Sequence, residues 1–383
     1  MQSEGVEEMD KSTTLGEKAR LAMGMPLVLA CAVAALSLQA GSEPAVKPLE
    51  ARKLGICLSP PRPGEVGRYC DFIRNRLAKD GFDTLVMVTR YRFRFARHPE
   101  CAAADALGRD DVRRIAAACR EAGLTLIPKM NLLGHQTYRK MPLKSLGGPL
   151  LAHPDMDESR GRTNIRHDYC RSLCPTHPGA QKLVFELMDE LVDACGARAV
   201  HIGCDEVFEI ARCERCAGIP TAKLFADWVN ALNRHNRARG VETLIWADRL
   251  LDSAKTPYGV WEASDSGTAA ALGLLDRDIV LCDWHYKKCD AYPSVETFGE
   301  AGFKMWVCPW RSLENARLFV DYANRHERGG NLQGILLTTW CSFANVADVI
   351  EGKPFGKGMD KESAHTLRGV AEIYRAYKRR VQN

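Results

Sequence analysis

Beyond residue 53 the chain alternates two hydrophobic rhythms. Short apolar runs bounded by polar or glycine-containing stretches read as buried strands, and longer segments whose apolar positions return every three or four residues read as amphipathic helices. The runs at 54–58, 84–88, 124–130, 199–203, 243–247, 278–284, 303–308 and 334–340 predict eight strands. The segments 67–79, 110–122, 178–194, 222–239 and 313–328, with 362–379 after the last strand, predict helices. The fifth unit is the weakest and leaves room only for a short helix near 268–275. Alternating strands and helices require a parallel sheet, and eight such units close into a barrel. The expected fold class is therefore α/β, a (β/α)8 TIM barrel forming a single domain over 54–383. An open doubly wound sheet is the alternative, but no Gly-x-Gly-x-x-Gly follows the first strand.

The N-terminal part breaks this rhythm. Lys18 and Arg20 precede an apolar run over 21–38; Ala40, Gly41 and Ser42 then form a small-any-small pattern, and a proline-containing linker occupies 43–53. That layout predicts an export signal over 1–42 and a periplasmic or extracellular protein. A membrane anchor is the alternative, since the run approaches the roughly 20 residues that span a bilayer. Gly24, Pro26 and the cleavage pattern weigh against it, and Cys31 as a lipidation site is a third reading. Membrane contact is expected only through this segment.

Composition adds limits rather than a function. With 46% hydrophobic residues among 383, the chain can bury one large core. Lys and Arg outnumber Asp and Glu by 53 to 48, and the one basic run interleaved with aromatics is Arg90 to Arg94, read as a loop after a strand. Nucleic acid is therefore not the expected partner. Of fifteen cysteines, Cys57, Cys195, Cys282 and Cys308 sit in apolar runs, where a buried thiol is the default. Cys213 and Cys216 form a lone Cys-x-x-Cys. A local pair or disulfide is its first reading, zinc completed by Cys204 or a histidine the second, and redox chemistry the third.

In an α/β barrel the C-terminal strand tips carry the chemistry. The fourth run ends in His201, Gly203, Asp205, Glu206 and Val207, delivering two adjacent acids at such a tip. Acids opening a helix are the ordinary reading of such a pair; the histidine and glycine on a β-like run favour a site. The third run ends in Pro128, Lys129, Asn131, Gly134 and His135, and the fifth in Trp246 and Asp248. Trp261 and Glu262, then Trp284, His285 and Tyr286, then Trp306, Trp310 and Trp340 follow. Trp246, Trp284 and Trp340 stand at strand ends where they would wall a pocket, whereas Trp306, mid-strand, reads as core. The polar connection 136–174 is too long for a routine crossover and predicts a lid or rim.

The pattern from His201 to Val207 resembles the signature of family 20 glycoside hydrolases, the β-N-acetylhexosaminidases. Pro128, Gly134 and His135 are similar to the family's Pro-Glu-x-Asp-x-x-Gly-His segment, with Lys129 and Asn131 replacing its acids. Trp246 and Asp248 resemble the family's Trp-x-Asp. Trp284 and Tyr286 resemble its Trp-Tyr pair with one residue inserted, and Ser342 stands where a carboxylate usually follows the last-strand tryptophan. The short interval before the first strand resembles the barrel-only members.

The resemblance implies an enzyme, a glycosidase removing terminal β-linked N-acetylglucosamine or N-acetylgalactosamine by substrate-assisted retaining catalysis. Glu206 would be the general acid/base, and Asp205 would hold the sugar's acetamido group. His135, Asn131, His201, Trp246, Asp248, Trp261, Trp284, Tyr286 and Trp340 would bind the glycan, and Arg52 or Arg62 would supply the arginine that grips the sugar. No metal and no cofactor are implied. Two readings stay open beside it: a carbohydrate-binding barrel without catalysis, prompted by Lys129, Asn131 and Ser342, and a glycosidase for a different sugar. Retention of both Asp205 and Glu206 argues against the first.

Overall fold

The computed structural model describes residues 52–138, 143–160, 162, 169–354 and 359–379. The expected export segment lies outside them. Eight parallel strands form one sheet: β1 (Lys53–Leu58), β2 (Thr84–Met87), β3 (Thr125–Pro128), β4 (Ala199–His201), β5 (Glu242–Trp246), β6 (Val280–Asp283), β7 (Met305–Val307) and β8 (Leu332–Thr338). Their order is β3-β2-β1-β8-β7-β6-β5-β4. The two ends meet through a parallel bridge between Lys129 and His201, where Met130 N donates to His201 O at 2.9 Å. This is the (β/α)8 barrel that the alternation predicts.

Inward-facing strand positions fill the barrel with a cluster of their own that includes Cys57, Val86, Ile127, Leu244, Cys282 and Trp306. Side chains alternate across a strand, so inward positions pack this interior while outward ones meet the helices. Trp306 is 5% exposed, in keeping with its reading as core.

The long helices fall at Arg109–Glu121, Ala180–Cys195, Thr221–Ala238, Leu313–His326 and Lys361–Tyr377, close to expectation. Val66–Phe72 continues as a π-helical turn over Ile73–Leu77. The fifth unit is reduced to a 3-10 helix, Thr268–Leu274, and two short helices, Ser294–Glu300 and Phe343–Ile350, span too few turns for their period to stand out. β8 starts earlier than its apolar run suggests because Leu332 pairs with Met305 across a register irregularity. Trp340 therefore lies just past the strand rather than within it. The 136–174 connection carries short helical turns and is tied down by bridges Tyr138–Cys170 and Asp157–Leu173. Among the described residues, no helix is long and apolar enough to cross a membrane.

Candidate active site

A cavity of about 920 Å³ opens at the C-terminal mouth of the barrel. Each strand end contributes to its wall: Ser59, Val88, Lys129, Asp205, Trp246, Trp284, Trp310 and Trp340 follow or end β1 to β8 in turn. Glu206, His135, Tyr286 and Trp261 complete its chemistry, and Tyr138, Ser145, Leu146 and Tyr169 arrive from the long connection.

The acid pair stands on a tightly wound backbone. After β4, Gly203 (φ 74°), Cys204 (φ 66°) and Glu206 (φ 48°) all adopt left-handed conformations. A Cβ on Gly203 would lie 2.6 Å from Met130 O, and one on Gly134 would lie 2.5 Å from Asp205 O. Both motif glycines thus exist because the β3 and β4 loops pack backbone against backbone. Among the described residues seven non-glycines have positive φ, and Arg90, His135, Glu206, Arg311 and Trp340 of these line the cavity. Strain gathered in this way marks a functional site.

His135 Nε2 sits 3.0 Å from Asp205 Oδ2 and 3.1 Å from Glu206 Oε2, clamping both acids. Burial pushes the Asp205 carboxyl up, but the charges of His135 and Lys129 prevail and hold it well below the usual carboxylate range. Burial likewise pulls His135 down, and Asp205 overrides it to hold the imidazole well above its ordinary value. Lys129 is buried, which lowers its pKa while Asp205 opposes the shift. Its Nζ donates to Asn131 Oδ1 at 2.6 Å and faces the rings of Trp246 and Trp340 at 6.0 and 5.8 Å. The Lys129–Asn131 replacement therefore brings positive charge to Asp205.

Three residues expected to touch the sugar stand behind the wall instead. Asp248 is buried; its Oδ2 accepts from Glu206 N at 2.9 Å and Arg249 Nε at 2.7 Å, and its Oδ1 from Trp284 Nε1 at 3.1 Å. It aims the acid and the tryptophan. His201 is kept neutral by burial and by Lys129, and its Nδ1 accepts from Gly203 N at 3.1 Å, bracing the turn. Asn131 donates through Nδ2 to His135 O at 3.3 Å. Periodicity places such residues near a strand tip without saying whether they form the wall or its backing.

The arginine expectation is corrected too. Arg52 immediately precedes β1 at the opposite end and pairs with Glu327 at 3.0 Å, and Arg62 is exposed and does not line the cavity. Arg90, Arg92 and Arg311 line it instead. Arg90 lies over the Tyr138 ring at 5.0 Å, and Arg92 grips Asp105 with two bonds of 3.0 and 2.7 Å. Arg90 and Arg92 belong to the basic run at 90–94, which the sequence places in a loop after a strand without assigning it to the pocket.

The aromatic wall begins where β6 ends. Trp284 and Tyr286 face the cavity with ring centroids 4.8 Å apart, while His285 between them turns away to stack on Tyr258 at 3.5 Å. The inserted histidine is thus what puts both aromatics on one face. The Tyr286 hydroxyl accepts from Trp340 Nε1 at 2.7 Å and lies 3.3 Å from Thr338 Oγ1, which also lies 2.9 Å from Pro309 O. Glu262 Oε1 holds Tyr286 N at 2.9 Å and Lys287 N at 3.2 Å, while its Oε2 meets His285 Nδ1 at 3.1 Å. Trp261 is 47% exposed and meets Tyr169 and Phe208 edge-on at 5.5 and 5.1 Å, forming the rim. Ser342 lines the cavity and caps the helix that follows, its hydroxyl accepting from Asn345 N. Cys213 and Cys216 do not line the cavity, and among the described residues the side chains grouped with them are Cys174 and Glu158 rather than Cys204 or a histidine.

An α/β barrel with paired acids under an aromatic wall is the frame of many carbohydrate-active proteins. Residues 76–356 match glycosyl hydrolase family 20, catalytic domain, and the chain belongs to that family. It is 23% identical over 177 residues to a β-hexosaminidase of Vibrio furnissii, covering 46% of this chain and 26% of the relative. A solved exo-β-N-acetylglucosaminidase from Vibrio harveyi, in complex with N-acetylglucosamine, matches with a TM-score of 0.56 at 15% identity over 86% of this chain and 59% of its own. A chitobiase from Flavobacterium johnsoniae gives 0.56 at 14%, over 86% and 52%. The chain therefore spans about a quarter of that curated relative and a little over half of these solved structures.

Proposed function

We propose that the protein is a glycoside hydrolase releasing terminal β-linked N-acetylhexosamine, with the substrate's own acetamide as nucleophile. The observation that carries this reading is the pair Asp205 and Glu206, clamped on one histidine inside an aromatic cavity. Asp205, held ionised, accepts the acetamide N–H and turns the carbonyl oxygen under the anomeric carbon. Tyr286 turns its hydroxyl proton to that oxygen, and Trp246, Trp284 and Trp340 restrict its rotation and exclude water, raising its effective molarity. As the oxygen bonds to the anomeric carbon, the glycosidic bond breaks and Glu206 gives its proton to the departing oxygen. Glu206, now a carboxylate, takes a proton from the water that opens the cyclised intermediate, restoring the acetamide and the configuration.

A panel of chromogenic β-glycosides tests this directly. Cleavage is expected for 2-acetamido sugars and inhibition by a thiazoline mimic of the cyclised sugar. If 2-hydroxy glycosides react as fast as their 2-acetamido counterparts, substrate assistance is wrong.

A further inference from the structure

Outside the cavity one side-chain cluster has no part in that chemistry. Single donor atoms of Glu158, Cys174, Cys213 and Cys216 all lie within 4.8 Å of one another. Cys174 Sγ is 3.3 Å from Cys213 Sγ and 3.7 Å from Cys216 Sγ, and Cys216 Sγ is 3.4 Å from Glu158 Oε2. Glu158, Cys174 and Cys216 are wholly buried and Cys213 partly so.

We propose that these four residues form a structural zinc site that clips the β3–β4 connection to the loop following the acid pair. A tetrahedral zinc with Zn–S of about 2.3 Å and Zn–O of about 2.1 Å sets donors about 3.8 Å apart for two sulfurs and about 3.6 Å for sulfur and oxygen. Cys174–Cys216 and Cys216–Glu158 stand within about 0.2 Å of these values, Cys174–Cys213 within about 0.5 Å, and the remaining pairs lie no farther apart than 4.8 Å. Glu158 already stands as a ligand would, since its Oε1 accepts from Arg212 N at 2.6 Å and Cys213 N at 3.1 Å, leaving Oε2 toward the thiols. Three soft thiolates with one carboxylate in a four-donor set match zinc rather than a hard cation. Binding replaces three thiol protons, released to solvent, by one Zn²⁺.

A disulfide is the competing chemistry, and it accounts for less. It would join two sulfurs at about 2.05 Å and leave the third thiol and a buried carboxylate without a partner charge. Zinc engages all four. The clip lies close to the chemistry without joining it: Cys170 Sγ donates to Glu206 O at 3.5 Å, Leu173 N bonds to Leu133 O at 2.9 Å, and Tyr169 lines the cavity. Holding Cys174 therefore holds the rim against the acid pair.

The test is metal analysis and native mass spectrometry of the full chain, purified under reduction and equilibrated with zinc. The expected result is about one zinc per chain in the wild type and in a Cys289→Ser control, falling to about a tenth or less in Cys216→Ser, with Glu158→Gln binding more weakly. Cobalt substituted for zinc is expected to give a thiolate-to-metal charge-transfer band, and chelation to lower the melting temperature. Should Cys216→Ser fail to fold, wild-type metal content and the cobalt spectrum decide alone. A wild-type chain that takes up no zinc and shows no such band, or a disulfide between Cys174 and Cys213 mapped in a parallel sample alkylated and purified without reductant, overturns the proposal.

Discussion

At the scale of single residues, two neighbouring acids play different parts, and their substitutions separate them. Glu206→Gln removes a proton donor, so loss is expected to exceed about 100-fold on sugar aglycones yet stay within about 10-fold on activated aryl glycosides, whose leaving groups need little protonation. Asp205→Asn removes acetamide positioning whatever departs, and about 10²-fold or more is expected on both substrates. Parallel losses for Glu206→Gln on the two substrates would strip it of the acid role. The clamp on these acids also titrates. Asp205, lowered in the fold, contributes stability above its unfolded value and loses it as pH falls through the depressed one. His135, raised, contributes fully below its unfolded value and loses it as pH rises through the raised one. Both contributions are complete between about pH 4 and 6.5. Thermal unfolding of wild type against His135→Asn is expected to show its widest gap there, narrowing in alkali. A gap independent of pH would mean that His135 stays neutral.

At the scale of elements, hydrophobic rhythm was enough to place all eight strands and the long helices, because burial on both faces writes continuous apolar runs and one-sided burial writes a 3.6 period. Rhythm says nothing of what the loops do. The acids were legible because Gly203, Asp205 and Glu206 are consecutive enough to form a motif, and the glycine has a steric cause that lies on another strand, at Met130 O. Asp248 and His201 were legible as neighbours but not as supports, since their hydrogen bonds run to backbone at positions 206 and 203. The grouping of Glu158 and Cys174 with Cys213 and Cys216 spans a helix and a strand, which no local spacing encodes. Gly203→Ala tests the steric account: the strain of a left-handed alanine, about 1–3 kcal/mol, adds to the contact with Met130 O. A lower melting temperature and at least about a 10-fold fall in kcat/KM are expected, because Asp205 and Glu206 ride on this turn. Gly134→Ala is expected to act alike through Asp205 O. Wild-type kcat/KM in both would disconnect the glycines from the acids.

At the scale of the whole molecule, the barrel separates chemistry at its C-terminal mouth from stability at its base. Arg52 belongs to the base. Its guanidinium pairs with Glu327 Oε1 at 3.0 Å, meets Asn324 Oδ1 at 3.1 Å and donates to Leu332 O, tying the first strand to the end of the helix before the last strand. Arg379 donates to Arg52 O and brings in the C-terminal segment. Both side chains of the ion pair are buried, so removing one leaves an uncompensated charge. Arg52→Met is expected to cost about 3–5 kcal/mol, while KM and kcat at permissive temperature stay at the wild-type level. Arg52→Lys is expected to recover little, since a point charge cannot make the forked contacts. Pairing Arg52→Met with Glu327→Leu removes the stranded charge, and much of the lost stability is expected to return. Denaturant unfolding of the two single variants and the double one measures this coupling. A change of KM in Arg52→Met would instead restore to Arg52 the sugar-gripping role that its place in the barrel denies it.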